Sequence, residues 1–241
     1  MTNKIVIIPT YNEIENAENI IRKVMSLQPT FDLLIVDDNS PDGTGKLVTQ
    51  LQNEFSNLYL LSRKEKNGLG TAYIEGFKWC LNKGYDYIFE MDADFSHNPD
   101  DLIRLYNACE QGADLAIGSR YINGVNVVNW PMNRVLMSYY ASAYVRFITG
   151  MNVRDTTAGF VCYTKKLLQT IELDKIRFRG YAFQIEMKFT ALKYGFKITE
   201  VPIIFTDRTQ GESKMSKSIF KEAIWGVISL KLKSLFKTYN K

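Results

Sequence analysis

Five short apolar runs, set apart by stretches of helical spacing, constrain this chain more than any other feature. Residues 5–8, 33–36, 58–61, 87–91 and 115–117 are too short for helices and apolar at nearly every position, as strands buried on both faces are. Between them Ile14, Ala17, Ile20, Ile21 and Val24 recur at helical intervals. Leu47, Val48, Leu51 and Phe55 do the same, then Ala72, Tyr73, Gly76, Phe77 and Cys80, then Leu102, Ile103, Tyr106 and Cys109. Alternation at this pitch predicts an α/β fold with a mostly parallel central sheet and helices on both faces. The second half is less regular. Residues 158–163 and 196–205 read as strands and 182–193 as a helix. No Gly/Ser linker, repeat or low-complexity tract divides residues 1–216, which read as one domain; residues 217–241 read as a basic amphipathic helical segment appended to it.

Composition narrows the class. With 46% hydrophobic and 23% charged residues in 241, disorder is excluded as the default. Cys80, Cys109 and Cys162 form no metal-binding spacing, and their odd number argues against a disulfide framework. The start of the chain meets Pro9 too soon for a signal peptide, and the uncharged run 135–145 is well short of the ~20 residues of a membrane span. From Lys214 onward, seven lysines face one acid, a net +6 in a chain of net +4, so the remainder is −2. These lysines alternate with large apolar residues, which suits a membrane surface and not nucleic acid.

In a parallel sheet, ligands bind beyond the carboxyl ends of the strands, and the polar clusters of this chain fall there. Pro9-Thr10-Tyr11-Asn12-Glu13 follows the first strand and Asp37-Asp38-Asn39-Ser40-Pro41-Asp42-Gly43-Thr44 the second. Asp92-Ala93-Asp94 follows the fourth and Gly118-Ser119-Arg120-Tyr121 the fifth. In extended backbone, residues two apart point the same way, so Asp92 and Asp94 are expected to reach one hard cation, Mg²⁺ or Mn²⁺, bridging a diphosphate. A solvated acidic turn is the plain alternative for Asp-x-Asp; the buried strand before the pair and the neighbouring polar strand ends favour the metal. One of Asp37 and Asp38 suits a nucleobase or ribose. Asp42 and Thr44 fit a turn and a helix cap as well as a ligand. Gly68 and Gly70 serve either an anion at a helix entry or close helix packing. Arg120, Arg134, Arg208 and Lys214 are the cationic candidates, the last two bracketing a Gly-containing loop able to close over a phosphate. His97, the one histidine, fits a ligand role or turn packing.

These motifs, in this order, with Gly68-Leu69-Gly70-Thr71-Ala72-Tyr73, Ser96-His97 after the aspartates, and Gly211-Glu212-Ser213-Lys214-Met215, resemble the dolichyl-phosphate (polyprenyl-phosphate) mannosyltransferases, inverting glycosyltransferases of the GT-A fold. The resemblance spans residues 5 to about 215. It implies a single GT-A-like (Rossmann-like) catalytic domain that transfers mannose from GDP-mannose to a polyprenyl monophosphate, with Mg²⁺ or Mn²⁺. It implies that Pro9, Tyr11, Glu13, Val36 and Asp38 cradle the nucleoside. Asp92, Ala93 and Asp94 would hold metal and diphosphate, with Ser96 at a further metal position. Arg120, Arg208 and Lys214 would contact donor phosphates or sugar, and Arg134 and Ser138 the lipid phosphate. Asp94, Arg120 and Arg208 would carry the catalytic stabilisation of the leaving group. The chain departs from some relatives in having Ser96 for Gln, and from many in having Tyr139-Tyr140 for Arg-Gly after Ser138.

A phosphate monoester has a second pKa near ~6, so a lipid phosphate can attack the anomeric carbon without a protein base, and none is assigned. The lipid demands a membrane, and residues 135–148 and 219–236 supply apolar, aromatic segments flanked by cations. A helix packed on the core or on a membrane-protein partner is the alternative for the second segment. The expected location is peripheral, on the cytoplasmic face of a membrane. Two rival functions stay open: a UDP-glucose or UDP-GlcNAc transferase acting on a lipid phosphate or another acceptor, and a non-catalytic nucleotide- or membrane-binding scaffold subunit.

Overall fold

The computed structural model describes residues 3–180, 182–207, 217–236 and 238–239. Its main sheet begins with β1 (Lys4–Thr10), β2 (Asp32–Asp37), β3 (Leu58–Ser62), β4 (Tyr87–Glu90) and β5 (Leu115–Ser119), one for each apolar run. Crossing helices α1 (Ile14–Met25), α2 (Thr44–Leu51), α3 (Leu69–Lys83) and α4 (Asp101–Glu110) connect them. Alternate side chains of each strand feed two cores: Ile5, Ile7, Leu34 and Val36 pack with α3, and Val6, Ile8, Leu33 and Ile35 with α1, α2 and α4. This two-sided burial is why the runs lack polar alternation.

The rest of the chain is β6 (Val127–Val128), α5 (Met132–Thr149), β7 (Val161–Thr164), α6 (Lys165–Thr170), a 3-10 turn at Leu173–Lys175, α7 (Ala182–Lys193), β8 (Ile198–Pro202), β9 (Phe205–Thr206) and α8 (Lys217–Ser234). The seven-stranded order is β3-β2-β1-β4-β7-β5-β8. Every pairing in it is parallel except those of β7, which runs antiparallel between β4 and β5. Strand order reverses beside β1, so the crevice beyond β1 and β4 is the place where such sheets bind ligands. The single strand expected over 196–205 is corrected. β8 stops at Pro202, which has no N–H to continue a ladder, on the sheet's edge. The chain then crosses over and pairs β9 with β6 in a separate two-stranded ribbon.

Helix α8 packs against α5 and α7. Val227 is buried with Val145, Met151, Ile185 and Phe189. The Tyr144 hydroxyl donates to the Ile224 carbonyl at 3.0 Å, and Lys231 Nζ donates to the Thr149 carbonyl at 3.0 Å, at the end of α5 where carbonyls lack helical partners. Trp225 and Leu232 stay exposed. No helix among the described residues is long and apolar enough to cross a membrane.

Candidate active site

Beyond Glu90 the chain leaves the sheet in successive bends, with Phe95 at φ 57°. The chain therefore bends within the pair, from Ala93 on, and does not continue as an extended strand, a correction to the geometry expected above. Both line one cavity of about 490 Å³, together with Ser96. Asp94 is buried and its Oδ1 accepts the Ser96 N–H at 3.1 Å, whereas the Asp92 side chain is 42% exposed. The Ser96 hydroxyl is buried with no hydrogen-bond partner among the described residues. Two carboxylates and an orphaned hydroxyl make an all-oxygen donor set, which fits a hard divalent cation that keeps open positions. His97 lines the same cavity, its Nδ1 3.9 Å from Asp92 Oδ2. Its ring lies between Phe160 and Phe205, and Nδ1 accepts the Asp92 N–H at 3.4 Å. Burial pulls the imidazole down to about 4, so it is neutral at pH 7 and packs the turn.

At the ends of β1 and β2, Asp37 is consumed by structure: it accepts from Thr10 Oγ1, the Ser40 N–H and Ser40 Oγ. Asp42 and Thr44 staple the β2–α2 loop to the start of α1. Asp42 accepts from the Ile14 N–H and the Thr44 N–H and hydroxyl, and Thr44 Oγ1 accepts the Glu13 N–H. Burial alone would raise the Asp42 carboxyl, but these hydrogen bonds hold it below its ordinary value. Asp38 lies close to Lys66, whose Nζ sits over the Tyr11 ring at 4.3 Å. Asp38 is also bound by Arg63 at 2.7 Å, and Arg63 further donates to Glu75 and Thr71. Burial raises the Asp38 carboxyl against the opposing pull of Arg63. Pro9, Tyr11 and Glu13 sit partly exposed at the same edge. Val36 and Ala93 point into the core, so only their backbone is available to a ligand. Gly70 settles as a packing residue: its N–H donates to the Arg179 carbonyl at 2.8 Å, and a Cβ there would meet the Phe178 carbonyl at 2.7 Å.

On the other side of the carboxylates, Arg120 lines the cavity but is held by Asp155, which accepts its Nε and NH2 at 2.7 Å and its backbone N–H at 3.0 Å. Burial would pull the guanidinium down and the carboxyl up; each partner outweighs this, holding Arg120 above and Asp155 below its ordinary value. Arg134 and Ser138 are one turn apart on α5 and both line the cavity. Arg134 pairs with Asp207 at 2.8 Å and stacks on Trp130, and the Tyr121 hydroxyl donates to Ser138 Oγ at 2.8 Å. Arg208 and Lys214, and the residues between them, lie outside the described residues. From the carboxylates the cavity extends between α5, α7 and α8, where Met137, Tyr140, Ala141, Val145, Ile185, Ile224 and Val227 make its wall apolar.

The sequence reading misses Arg63, Asp155 and a buried polar group under the cavity, Glu90, Gln184 and Lys188. Arg63 follows β3 directly, so the strand-end rule could have found it. Glu90 stands in an otherwise apolar strand, and Gln184 and Lys188 in a helix buried on nearly all sides; a charge inside an apolar element is itself a signal, since burying one is costly unless it is bonded. Burial pushes the Glu90 carboxyl up and the Lys188 ammonium down.

The family model described as Glycosyl transferase family 2 matches residues 5–172. The polyprenol monophosphomannose synthase of Mycolicibacterium smegmatis is 46% identical over 229 residues, covering 92% of this chain and 86% of that protein. The undecaprenyl-phosphate mannosyltransferase of Micrococcus luteus is 46% identical over 226 residues, covering 92% and 93%. Among solved structures, glucosyl-3-phosphoglycerate synthase from Mycobacterium tuberculosis in complex with Mn²⁺, uridine diphosphate and glucosyl-3-phosphoglycerate superposes with a TM-score of 0.67 at 17% identity, over 97% of this chain and 80% of that one. At that identity the likeness is one of fold.

Proposed function

The chain belongs to glycosyl transferase family 2 and is a glycosyltransferase, and we propose that it transfers mannose from GDP-mannose to a polyprenyl monophosphate with inversion. One observation supports this above the rest: the carboxylate pair opens into a cavity whose far wall is apolar and runs between α5 and α8, as an acceptor with a charged head and a lipid tail requires. The names of the two 46%-identical relatives point to the same sugar and acceptor class.

Asp92, Asp94 and Ser96 would hold Mg²⁺ or Mn²⁺, which when bound neutralises the leaving diphosphate. The protein's own residues do the rest. Tyr11, Asp38 and the backbone of Val36 receive the nucleoside. Arg120, fixed by Asp155, presents a permanent positive charge in the cavity wall where two anions must approach. Arg134 and Ser138 receive the acceptor phosphate, Arg134 exchanging Asp207 for it. Arg208 and Lys214 would complete the donor site. The acceptor is its own nucleophile at neutral pH, so no general base is required.

GDP release from GDP-mannose that needs a divalent cation and rises with polyprenyl phosphate tests the reading. A thermal-shift panel is a second test: at ~100 times Kd a native-state ligand adds about 2.7 kcal/mol of stability. GDP with Mn²⁺ or Mg²⁺ is expected to raise Tm more than UDP does; a larger shift with UDP overturns the donor, and no turnover with any nucleotide sugar leaves the scaffold reading.

A lipid acceptor supports a peripheral location at a membrane surface, and the cytoplasmic face is the side proposed. Helices α5 and α8 pack together and leave Phe147 86%, Trp225 73% and, just past α8, Phe236 91% exposed. With the lysine-rich tail, this suits interfacial binding to anionic lipid. Replacing Phe147, Trp225 and Phe236 together by serine is expected to lower binding to anionic liposomes at least ~10-fold, since each large side chain buries about 1.5–3 kcal/mol of apolar free energy. Unchanged sedimentation with liposomes contradicts it.

A further inference from the structure

Under the cavity lies a polar group that the steps above do not use. Gln184 and Lys188 stand one turn apart on α7. Lys188 Nζ is fully buried and meets three acceptors: the Ala158 carbonyl at 2.7 Å, the Gln184 carbonyl at 3.1 Å and Gln184 Oε1 at 3.2 Å. The two carbonyls can only accept, so Nζ donates to both, and an ammonium keeps a third proton for the side-chain amide. A donor on that side sets which end of the Gln184 amide faces it. The oxygen turns to Lys188, and Nε2 turns away and donates to Glu90 Oε2 at 2.6 Å.

An amide nitrogen has two N–H groups, and Glu90 takes one. No hydrogen bond to a described residue engages the other. Gln184 lines the cavity next to Ala158 and Gly159, and Nε2 is the atom a Cβ at Gly159 would meet, at 3.8 Å. Glycine at that position leaves the amide nitrogen without a side chain over it on the Gly159 side. Gln184, Asp92, Asp94 and the apolar wall line one cavity, so the amide shares with the carboxylates the space through which a transferred sugar would pass.

We infer that Gln184 is a further substrate-contacting residue, its second Nε2–H donating to a hydroxyl of the transferred sugar, and that Lys188 is the positioning residue that fixes the amide's direction. The inference rests on the sugar-transfer reading above. A buried donor left unmet is costly, so the site prefers a sugar that places a hydroxyl there and rejects the deoxy analogue.

The test compares wild type with Gln184→Met, Lys188→Met, Lys188→Arg and Gly159→Ala, using GDP, and whichever nucleotide sugar the wild type turns over. Gln184→Met is expected to lower kcat/KM by about 10²-fold and to weaken the nucleotide sugar while leaving the Kd of GDP unchanged. Lys188→Met is expected to reproduce part of this loss and Lys188→Arg to restore part of it. Should Gln184→Met fail to fold, Gly159→Ala, which covers Nε2 at ordinary contact distance, is expected to give the same split. Equal weakening of GDP and nucleotide sugar, or unchanged kcat/KM, overturns the assignment. A wrong donor would show in the wild type, whereas a wrong role for Gln184 shows only in the variants.

Discussion

Asp94→Ala is expected to lower kcat for sugar transfer by about 10³-fold, the scale on which a lost electrostatic stabiliser of a transition state is felt, while leaving a folded protein. The carboxylate is buried at the cavity's edge beside the orphaned Ser96 hydroxyl, so its removal takes away one of the two anionic oxygen donors available to a divalent cation. Asp92→Ala should act in the same direction, with added cation recovering part of the loss, because Asp92 is the more exposed of the pair and water can enter its place. Initial rates across a Mn²⁺ titration, beside Tm values for both variants, check this. Full activity in Asp94→Ala would remove Asp94 from the metal assignment.

The carboxylate pair is legible in the sequence, but for a partly wrong reason. Extended spacing predicts that Asp92 and Asp94 share a face, whereas β4 ends at Glu90 and the chain bends from Ala93 on, where both carboxylates meet Ser96 in one cavity. Strands β1 to β5 are legible because burial on both faces demands continuous apolar runs. The antiparallel direction of β7 is not, because its run 161–164 looks the same in either direction; the long excursion through α5 sets its approach to the sheet. The end of β8 is readable from Pro202, yet the pairing of β9 with β6 joins residues far apart in sequence and has no local pattern. The same holds for the site. Arg120 is visible as a cation past a buried strand, but Asp155 lies 35 residues away in an irregular segment, and nothing in Arg154-Asp155-Thr156 marks it as the partner. Tertiary pairing of this kind is where reading by local pattern stops.

Asp155 therefore carries the second large prediction. Its side chain is fully buried, and three of its hydrogen bonds hold one arginine. Asp155→Asn keeps the shape but leaves the Arg120 charge buried without its counter-charge, which costs about 3–5 kcal/mol. Denaturant melts should show this loss, and kcat should fall with it because Arg120 no longer holds its place in the cavity wall. The pH dependence has a definite sign. The Asp155 carboxyl is held below its ordinary value in the folded protein, so its contribution is complete above the unfolded carboxylate range and is lost as pH falls through the folded value. Wild type should thus lose stability on acidification through a step that Asp155→Asn lacks. A double replacement separates the two roles. Arg120→Met with Asp155→Leu removes both charges and should recover most of the stability, since apolar side chains can replace a buried ion pair at little cost. It should recover none of the activity. If the double variant regains turnover along with stability, Arg120 acts in the fold alone and the cation facing the diphosphate must be sought elsewhere.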